Sequence, residues 1–301
     1  MQETLFDQTT LNKLNRLTLI AHNVRSGVLK GERRSAKRGT SLEFADYRNY
    51  TRGDDLRRLD WNVFARLERP FVKLFEEEED LSVHVLIDAS ASMDFPRTEG
   101  ANPDHHKFRF AQRVAAGLSY IALGTGDYLT LTALYGEGQN RSWGPLRGRG
   151  RTFAVLDFIR ELTPVSHLDF NRALKDYARR NARAGLLVII SDLLAVGGYQ
   201  DGIAALQNAG HEIAIIHTLS PEEVAPPLAG DLQLVDVETG INQDVTIDAS
   251  MRDLYMSRLL TWRDENAKFC AKRGAHYATV ETSSAWDALI LHELRRMGLV
   301  R

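Results

Sequence analysis

Three short apolar runs stand out along the chain, at 82–88, 185–192 and 212–219. Each is rich in Val, Ile and Leu, which is typical of strands that are buried on both faces of a parallel sheet. Segments with apolar residues at helical spacing lie between them, at 108–123 and 169–183. This alternation predicts an α/β fold with a doubly wound, mostly parallel sheet flanked by helices.

The remaining pattern adds further elements around this sheet. Residues 128–135 alternate between apolar and polar positions as a strand does, and Pro145 restricts the strand after it to a sheet edge. At the N-terminus, leucines recur at helical spacing and predict a helical segment over 1–30. The other predicted elements are a helix over 152–162, a hairpin arm at 235–240, a helix over 251–269, a strand at 276–281 and a last helix over 285–297.

Composition and charge narrow the class of protein. The chain has 301 residues and a formal net charge of -2, which gives it no overall attraction for nucleic acid or anionic membranes. A basic run at 25–38 has no interleaved aromatic residues for base stacking, so we interpret it as a solvated loop. Cys270 is the single cysteine, which excludes a disulfide framework and a cysteine-based zinc site within one chain.

The chain carries no pattern of membrane insertion or export. No stretch approaches about 18 uninterrupted apolar residues. The start, Met1-Gln-Glu-Thr, lacks the basic segment and apolar core of a signal peptide. We therefore expect a cytoplasmic protein with no nucleic-acid partner.

Oxygen-bearing side chains directly follow the first apolar run. Asp88, Ser90 and Ser92 alternate along a tight turn, at the carboxyl end of a strand, where α/β folds place their sites. One carboxylate and two hydroxyls can face a single hard cation, since Mg²⁺ takes oxygen ligands at about 2.1 Å. The alternative is a turn whose hydroxyls cap the next helix. The spacing Asp-x-Ser-x-Ser resembles the metal-ion-dependent adhesion site of the von Willebrand factor A fold.

A second carboxylate, Asp192, ends the run at 185–192. The resemblance implies that the strands bearing Asp88 and Asp192 are neighbours at the point where the strand order reverses, so that both carboxylates flank one crevice. Asp88, Ser90, Ser92 and Asp192 would then hold Mg²⁺ or Mn²⁺, directly or through water. Asp192 could instead cap a helix that follows it.

Residues 39–80 form a block dense in charged and aromatic side chains. Its Glu-Phe, Arg-x-Tyr, Gly-Asp-Asp, Asp-Trp, Ala-Arg, Val-Lys and Phe-Glu-Glu-Glu resemble, in the same order, the signature of the bacterial domain-of-unknown-function 58 (DUF58) family. The likeness extends from about residue 20 to the C-terminus. We therefore divide the chain into an N-terminal accessory segment, 1–80, packed on a von Willebrand factor A-like domain, 81–301.

Opposite charges within this block are expected to pair, and Trp61 is expected to be mostly buried. The side chains expected to pair are Arg48, Arg52, Arg57, Arg58 and Arg66 with Asp46, Asp54, Asp55 and Asp60. These pairs predict a structural, partner-facing block with no catalytic part.

A third loop departs from the family pattern. Proteins of this family often have a threonine before the second helix, followed by an aspartate, whereas this chain has Leu168 and Asp169 there. Leucine offers no oxygen. The site is therefore expected to bind its cation weakly, to use Ser166 or Asp169 instead, or to bind no metal.

These features favour a binding protein over an enzyme. The family resemblance implies a role beside a MoxR-type AAA+ ATPase, as an adaptor in the assembly or maturation of a client protein. This chain has no Gly-x-x-x-x-Gly-Lys-[Ser/Thr] phosphate loop, so the ATPase must be a separate chain. A cation held by the four side chains would keep one position open for a carboxylate of the partner.

The alternative is a Mg²⁺-dependent phosphoester hydrolase with Asp88 as nucleophile. Such phosphatases carry Asp-x-Asp after the first strand, and the second aspartate acts as general acid. Ser90 holds that position here and is a poor acid near neutral pH. A serine esterase is disfavoured too, because no Gly-x-Ser-x-Gly elbow is present. We therefore expect no catalytic activity.

Overall fold

In a computed structural model the protein forms two compact units, Val28–Asp80 and Met1–Gly27 together with Leu81–Arg301. The residues described are 6, 8–22, 43–76, 81–97, 102–135, 140–164, 168–180, 183–236 and 240–301. The strands are β1 (Glu43–Asn49), β2 (Phe71–Glu76), β3 (Ser82–Asp88), β4 (Tyr128–Leu134), β5 (Arg141–Leu146), β6 (Leu186–Ser191), β7 (Glu212–Leu219), β8 (Gly230–Val235), β9 (Asn242–Ile247) and β10 (His276–Glu281). The helices are α1 (Gln8–Leu14), α2 (Trp61–Leu67), α3 (Lys107–Thr125), α4 (Thr152–Arg160), α5 (Phe170–Arg180), α6 (Gln200–Asn208), α7 (Pro221–Val224), α8 (Ala249–Lys272) and α9 (Trp286–Ala288).

The larger unit is built on a six-stranded sheet with the order β10-β7-β6-β3-β4-β5. Neighbouring strands are parallel except β5, which pairs antiparallel with β4 at one edge. The chain starts the sheet at β3, builds outward through β4 and β5, and then returns to the other side of β3 with β6. The strand order therefore reverses between β3 and β6, and a crevice opens at the carboxyl ends of these two strands.

The predicted α/β class, with a mostly parallel sheet flanked by helices, is confirmed. The strands β3 and β6 are neighbours as expected, with a register that runs from Val83 opposite Leu186 to Ile87 opposite Ile190. The strand that contains Pro145 lies at the edge of the sheet, also as expected. The apolar runs were sufficient for this prediction because they are too short for helices and lack a polar face.

Two apolar clusters cover the two faces of the sheet. Along β3, Val85 and Ile87 belong to one cluster with α3 and α4, whereas Leu86 belongs to the other with α5 and α6. This alternation is the period-two geometry of a strand buried on both faces. Each such side chain stabilises the fold by about 1.5–3 kcal/mol relative to an exposed one.

The predicted N-terminal helix is wrong over residues 15–22, because α1 ends at Leu14, and residues 23–30 lie outside the described part of the chain. Leu17 and Leu19 are buried in extended chain, and Leu19 forms an antiparallel bridge with Val300. The two leucines are spaced by two, which suits a strand better than a helix. Residues 8–22 therefore share the core of the larger unit, which differs from the expected grouping of residues 1–80 as one accessory segment.

Several helical features lay outside the prediction. The helices α2, α6 and α7 were not expected, and α9 continues as a π-helical segment, Leu289–Leu294. The long helix α8 covers the predicted amphipathic stretch. Among the residues that the structure describes, no helix is both long enough and apolar enough to cross a bilayer.

The smaller unit contains the antiparallel hairpin β1–β2 and the helix α2. Two of the predicted charge pairs form within it. Arg48 donates hydrogen bonds from both terminal nitrogens to Asp54, at 2.7 and 2.8 Å, and Arg57 Nε donates to Asp55 Oδ1 at 3.2 Å. The Arg48 guanidinium, with a backbone hydrogen bond from Thr51, holds the pKa of Asp54 well below its usual range.

Asp60 is buried and begins α2. Its Oδ1 accepts from the backbone nitrogens of Asn62 and Val63, and its Oδ2 accepts from the Tyr47 hydroxyl at 2.8 Å. The expected burial of Trp61 is wrong, because 62% of this residue is exposed. It occupies the first position of α2, a helix that buries none of its side chains within the residues described.

Candidate functional site

Asp88 lies at the carboxyl end of β3 and is buried. Both of its carboxylate oxygens accept hydrogen bonds. Oδ1 accepts from the backbone nitrogen of Ser90 at 2.9 Å, and Oδ2 accepts from the hydroxyl of Ser191 at 2.6 Å. Because Ser191 is the last residue of β6, this bond joins the ends of the two central strands across the crevice.

The hydroxyls of Ser90 and Ser92 form a hydrogen bond with each other, with their oxygens 3.0 Å apart. Ser90 begins a single 3₁₀ turn, Ala91–Met93, but its side chain does not cap that turn. The next helix, α3, is capped by His106. The alternative in which these serines serve as helix caps is therefore not what the structure contains, and both hydroxyls face the crevice from the β3 side.

Asp192 follows β6 and is almost fully buried. Its Oδ1 accepts from the backbone nitrogen of Leu194 at 3.0 Å, which closes a local turn. Between them, Leu193 has a φ of 56°, a left-handed conformation that is strained for a residue with a bulky side chain. The next helix, α6, begins only at Gln200 with Tyr199 in the N-cap position, so Asp192 does not cap a helix.

Lys107 places a positive charge in this site. It is the first residue of α3 and its side chain is fully buried. Its ammonium donates to Asp192 Oδ2 at 2.6 Å and also to Glu223 Oε1. Glu223 is held in turn by a capping box with Ser220, at the start of α7 after β7. One ammonium thus joins the residues that follow two neighbouring strands, β6 and β7.

Burial and charge shift the pKa values of these groups in different directions. Burial, together with the charge of Asp192, raises the pKa of Asp88 to about 6. Burial would also raise the pKa of Asp192, but the Lys107 ammonium outweighs it and lowers the pKa below the usual range. The pKa of Glu223 is raised because burial outweighs the same ammonium. Of these three carboxyl groups, Asp192 is therefore the one whose ionised form Lys107 stabilises enough to lower the pKa.

The loop before α5 contributes an apolar side chain to the cleft. Leu168 is buried and lines the cleft opposite Asp88 and Asp192. Asp169 is exposed, and its Oδ1 accepts from the backbone nitrogen of Arg172 at the start of α5. The structure does not bring the Asp169 carboxylate among the cleft-lining side chains, and Ser166 lies outside the described residues.

The cleft therefore unites four of the five side chains predicted as metal ligands. Its lining consists of Asp88, Ser90, Ser92, Leu168, Phe170, Asp192, Leu194 and Ala195. The separation of 3.0 Å between the two serine hydroxyl oxygens matches adjacent ligands of an octahedral Mg²⁺, which are about 2.9 Å apart. No cluster of three or more His, Cys, Asp or Glu side chains suited to a metal occurs in the described part of the chain, so the serine oxygens are needed.

The cleft is narrow. Its side chains leave less space than a water molecule requires. Leu168 and Leu194 both contribute to its lining. Leu194 is 44% exposed and follows the strained Leu193.

Sequence reasoning missed three residues of this site. Ser191 directly precedes Asp192, and its place at the end of a buried run could have drawn attention. Glu223 ends the segment Ser-Pro-Glu-Glu, which carries a capping-box pattern. Lys107 gave no signal, because a lysine in the first turn of a helix normally points into solvent.

The chain belongs to the DUF58 family. The model of this family, described as a protein of unknown function, matches residues 46–265. An uncharacterized protein of Mycobacterium bovis is 30% identical over 291 residues, which cover 95% of this chain and 89% of that protein. An uncharacterized protein of Mycobacterium tuberculosis matches to the same extent.

Similarity to solved structures is more distant. The chain is similar to BatB of Bacteroides thetaiotaomicron, with 16% identity and a TM-score of 0.42, over 72% of this chain and 98% of that one. An aerotolerance-related membrane protein of Bacteroides fragilis gives 14% identity and a TM-score of 0.43, over 72% of this chain and 100% of that one. Family membership therefore rests on the sequence matches.

Proposed function

We propose that the chain is a non-catalytic adaptor that captures a protein partner at the cleft between β3 and β6, with the help of a divalent cation. One observation carries the proposal. Asp88, Ser90, Ser92 and Asp192 come from two different loops, yet their side chains line one cleft, and the two hydroxyl oxygens stand 3.0 Å apart. A solvated turn would have no reason to gather three buried oxygen-bearing side chains, those of Asp88, Ser90 and Asp192, beside the partly buried Ser92.

The larger unit, in this proposal, has a von Willebrand factor A-like fold. Support comes from the strand order, from the single antiparallel strand at the edge of the sheet, and from the position of the motif. Asp-x-Ser-x-Ser follows the first strand of the sheet, and the second aspartate follows the strand that lies beside it.

The residues present fit a cation of hard character. The carboxylates of Asp88 and Asp192 and the hydroxyls of Ser90 and Ser92 are the donors that Mg²⁺ and Mn²⁺ prefer, and water would complete the set. When bound, the cation supplies an open position for a carboxylate of the partner. Leu168 gives the cleft no further oxygen, so the affinity is expected to be low. Asp169 has no part in this set because its carboxylate caps α5.

The partner in this proposal is a MoxR-type AAA+ ATPase, a separate chain that would act with this protein on a client. The support is the DUF58 membership and the lack of a phosphate loop in the sequence. Because such an ATPase consumes ATP, the proposed place of action is the cytoplasm.

The smaller unit offers a surface for that partner. Along α2, 62% of Trp61 and 59% of Leu67 are exposed, and Phe64, between them in the sequence, forms a T-shaped ring contact with Trp61. Large apolar side chains exposed together are typical of protein interfaces, where aromatic residues are enriched. We therefore propose that the block around α2 faces a partner and has no catalytic role.

The proposal is tested by the binding of a purified MoxR-type ATPase from the same organism, measured with Mg²⁺ present. The wild-type chain and Asp169→Asn, an exposed control, are expected to bind equally well. Asp88→Asn is expected to bind at least about tenfold more weakly, because it removes one carboxylate charge from the cleft. Equal binding by Asp88→Asn, in a variant that melts like the wild type, would contradict the proposal.

A further inference from the structure

The ammonium of Lys107 is the most unusual charge in the described part of the chain. Its side chain is 0% exposed, and lysine is almost never fully buried unless it is paired. Two carboxylates take its charge, Asp192 with an N–O distance of 2.6 Å and Glu223 on the opposite side. The ring of Phe95 lies 5.6 Å from the ammonium and packs against it.

Both ends of this ion-pair chain are fixed by the backbone. The Lys107 backbone nitrogen donates to the Phe95 carbonyl at 2.8 Å, which holds the start of α3 against the loop after β3. Glu223 is held by Ser220, whose backbone nitrogen donates to Glu223 Oε2 at 2.9 Å. These backbone hydrogen bonds fix the position of the ammonium beside Asp192.

This position makes Lys107 a competitor for the Asp192 carboxylate. One oxygen of Asp192 accepts from the ammonium and the other accepts from the Leu194 backbone nitrogen. A divalent cation drawn to Asp192 would meet the positive charge of Lys107 a few ångströms away, in a site where little water screens the repulsion. The ammonium also compensates part of the negative charge of Asp88 and Asp192, so the cleft can fold without a divalent cation.

We propose that Lys107 is a tethered internal cation that limits the affinity of the cleft for divalent cations and keeps the cleft assembled when none is bound. The inference rests on the proposed cation site and names the residue that regulates it. Lys107 is a positioning residue in this account, since it acts through Asp192 and contacts no ligand of its own.

Two variants separate this role from a merely structural one. In Glu223→Gln the ammonium loses its second carboxylate and is left to Asp192 alone, so divalent cations should bind more weakly. In the double variant K107M/E223Q the ammonium and its second partner disappear together. The net charge of the cleft is unchanged by the double substitution, and the Asp192 oxygen that the ammonium held, Oδ2, becomes available. Lys13→Met, on a half-exposed lysine paired with Asp287, is the matched control.

The experiment is calorimetric titration of each protein with MnCl₂ and MgCl₂, together with thermal melts with and without the metal. We expect K107M/E223Q to bind Mn²⁺ at least about tenfold more tightly than the wild type and to gain more in melting temperature from Mn²⁺. Glu223→Gln should bind at least about threefold more weakly, and Lys13→Met should match the wild type.

Equal or weaker binding by the double variant, while the wild type binds, overturns the inference and leaves the cation site standing. Binding by neither protein at millimolar metal overturns the cation site and this inference together. If the double variant fails to fold, Glu223→Gln decides alone, because this variant retains the buried lysine. Binding by Glu223→Gln that is as tight as in the wild type would then overturn the inference.

Discussion

The Ser191 hydroxyl donates a hydrogen bond of 2.6 Å to Asp88 Oδ2, across the gap between the two central strands. The other oxygen of Asp88 accepts from the Ser90 backbone nitrogen. Each carboxylate oxygen keeps a further lone pair for a cation.

We predict no hydrolase activity, because Ser90 stands where a phosphatase needs an acid. A panel of phosphoesters and carboxylic esters, assayed with Mg²⁺ present, should show no turnover above the level of buffer. Turnover that vanishes in Asp88→Asn would contradict this prediction and favour the hydrolase.

Leu168→Thr should tighten cation binding. The substitution puts a hydroxyl at the position where the family often has threonine, in a side chain that already lines the cleft. We expect the dissociation constant for Mn²⁺ to fall by about threefold to tenfold, a modest gain because one neutral oxygen replaces a bound water. Leu168→Val is the matched control, since valine has the shape of threonine without the oxygen. If both variants bind alike, the missing hydroxyl does not limit the affinity.

Asp60→Ala should destabilise the smaller unit. The substitution removes the cap of α2 and the acceptor of the Tyr47 hydroxyl, and the expected loss is about 1–3 kcal/mol. Tyr47→Phe removes only the hydroxyl bond and should lose less. Hydrogen exchange of the amides in α2 is the measurement, since it follows this unit directly. Unchanged exchange in Asp60→Ala, with unchanged partner binding, would show that Asp60 is dispensable for stability and for binding.

The fold should lose stability in mild acid through its buried histidines. Burial lowers the pKa of His84 to about 3 and that of His217 to about 4. His84 Nε2 donates to the Arg183 carbonyl and its Nδ1 accepts from the Tyr177 hydroxyl, an arrangement that requires the neutral ring. Because the folded pKa lies below the unfolded value near 6.5, this stability is present above pH 6.5 and is lost as the pH falls.

Between pH 7 and pH 5, each of these histidines should reduce the free energy of unfolding by about 2 kcal/mol. Asp88 acts in the opposite direction, because its raised pKa lets the folded state bind a proton first as the pH falls. Urea unfolding of the wild type and of His84→Gln separates the two contributions. His84→Gln should show a shallower dependence on pH, whereas His22→Gln, on an exposed ring, should follow the wild type. An identical slope in His84→Gln would show that His84 is protonated equally in both states.

The sheet was within reach of the sequence, because buried strands read as apolar runs. The placement of Asp88 and Asp192 at the ends of neighbouring strands was expected from the resemblance to the von Willebrand factor A fold. Lys107 was not, because its burial depends on two carboxylates that lie 85 and 116 residues further along the chain. Trp61 was misjudged for a related reason. An aromatic residue in a charged block suggests burial, but the first position of α2 points it outward.

The central claim is that the cleft between β3 and β6 binds a divalent cation. Calorimetric titration of the wild type, Asp88→Ala and Asp169→Ala with Mg²⁺ and Mn²⁺ tests it most directly. The account predicts weak, saturable binding by the wild type, the same binding by Asp169→Ala because Asp169 caps α5, and none by Asp88→Ala. If the wild type binds neither cation at millimolar concentration, or if Asp88→Ala binds as the wild type does, the claim is wrong.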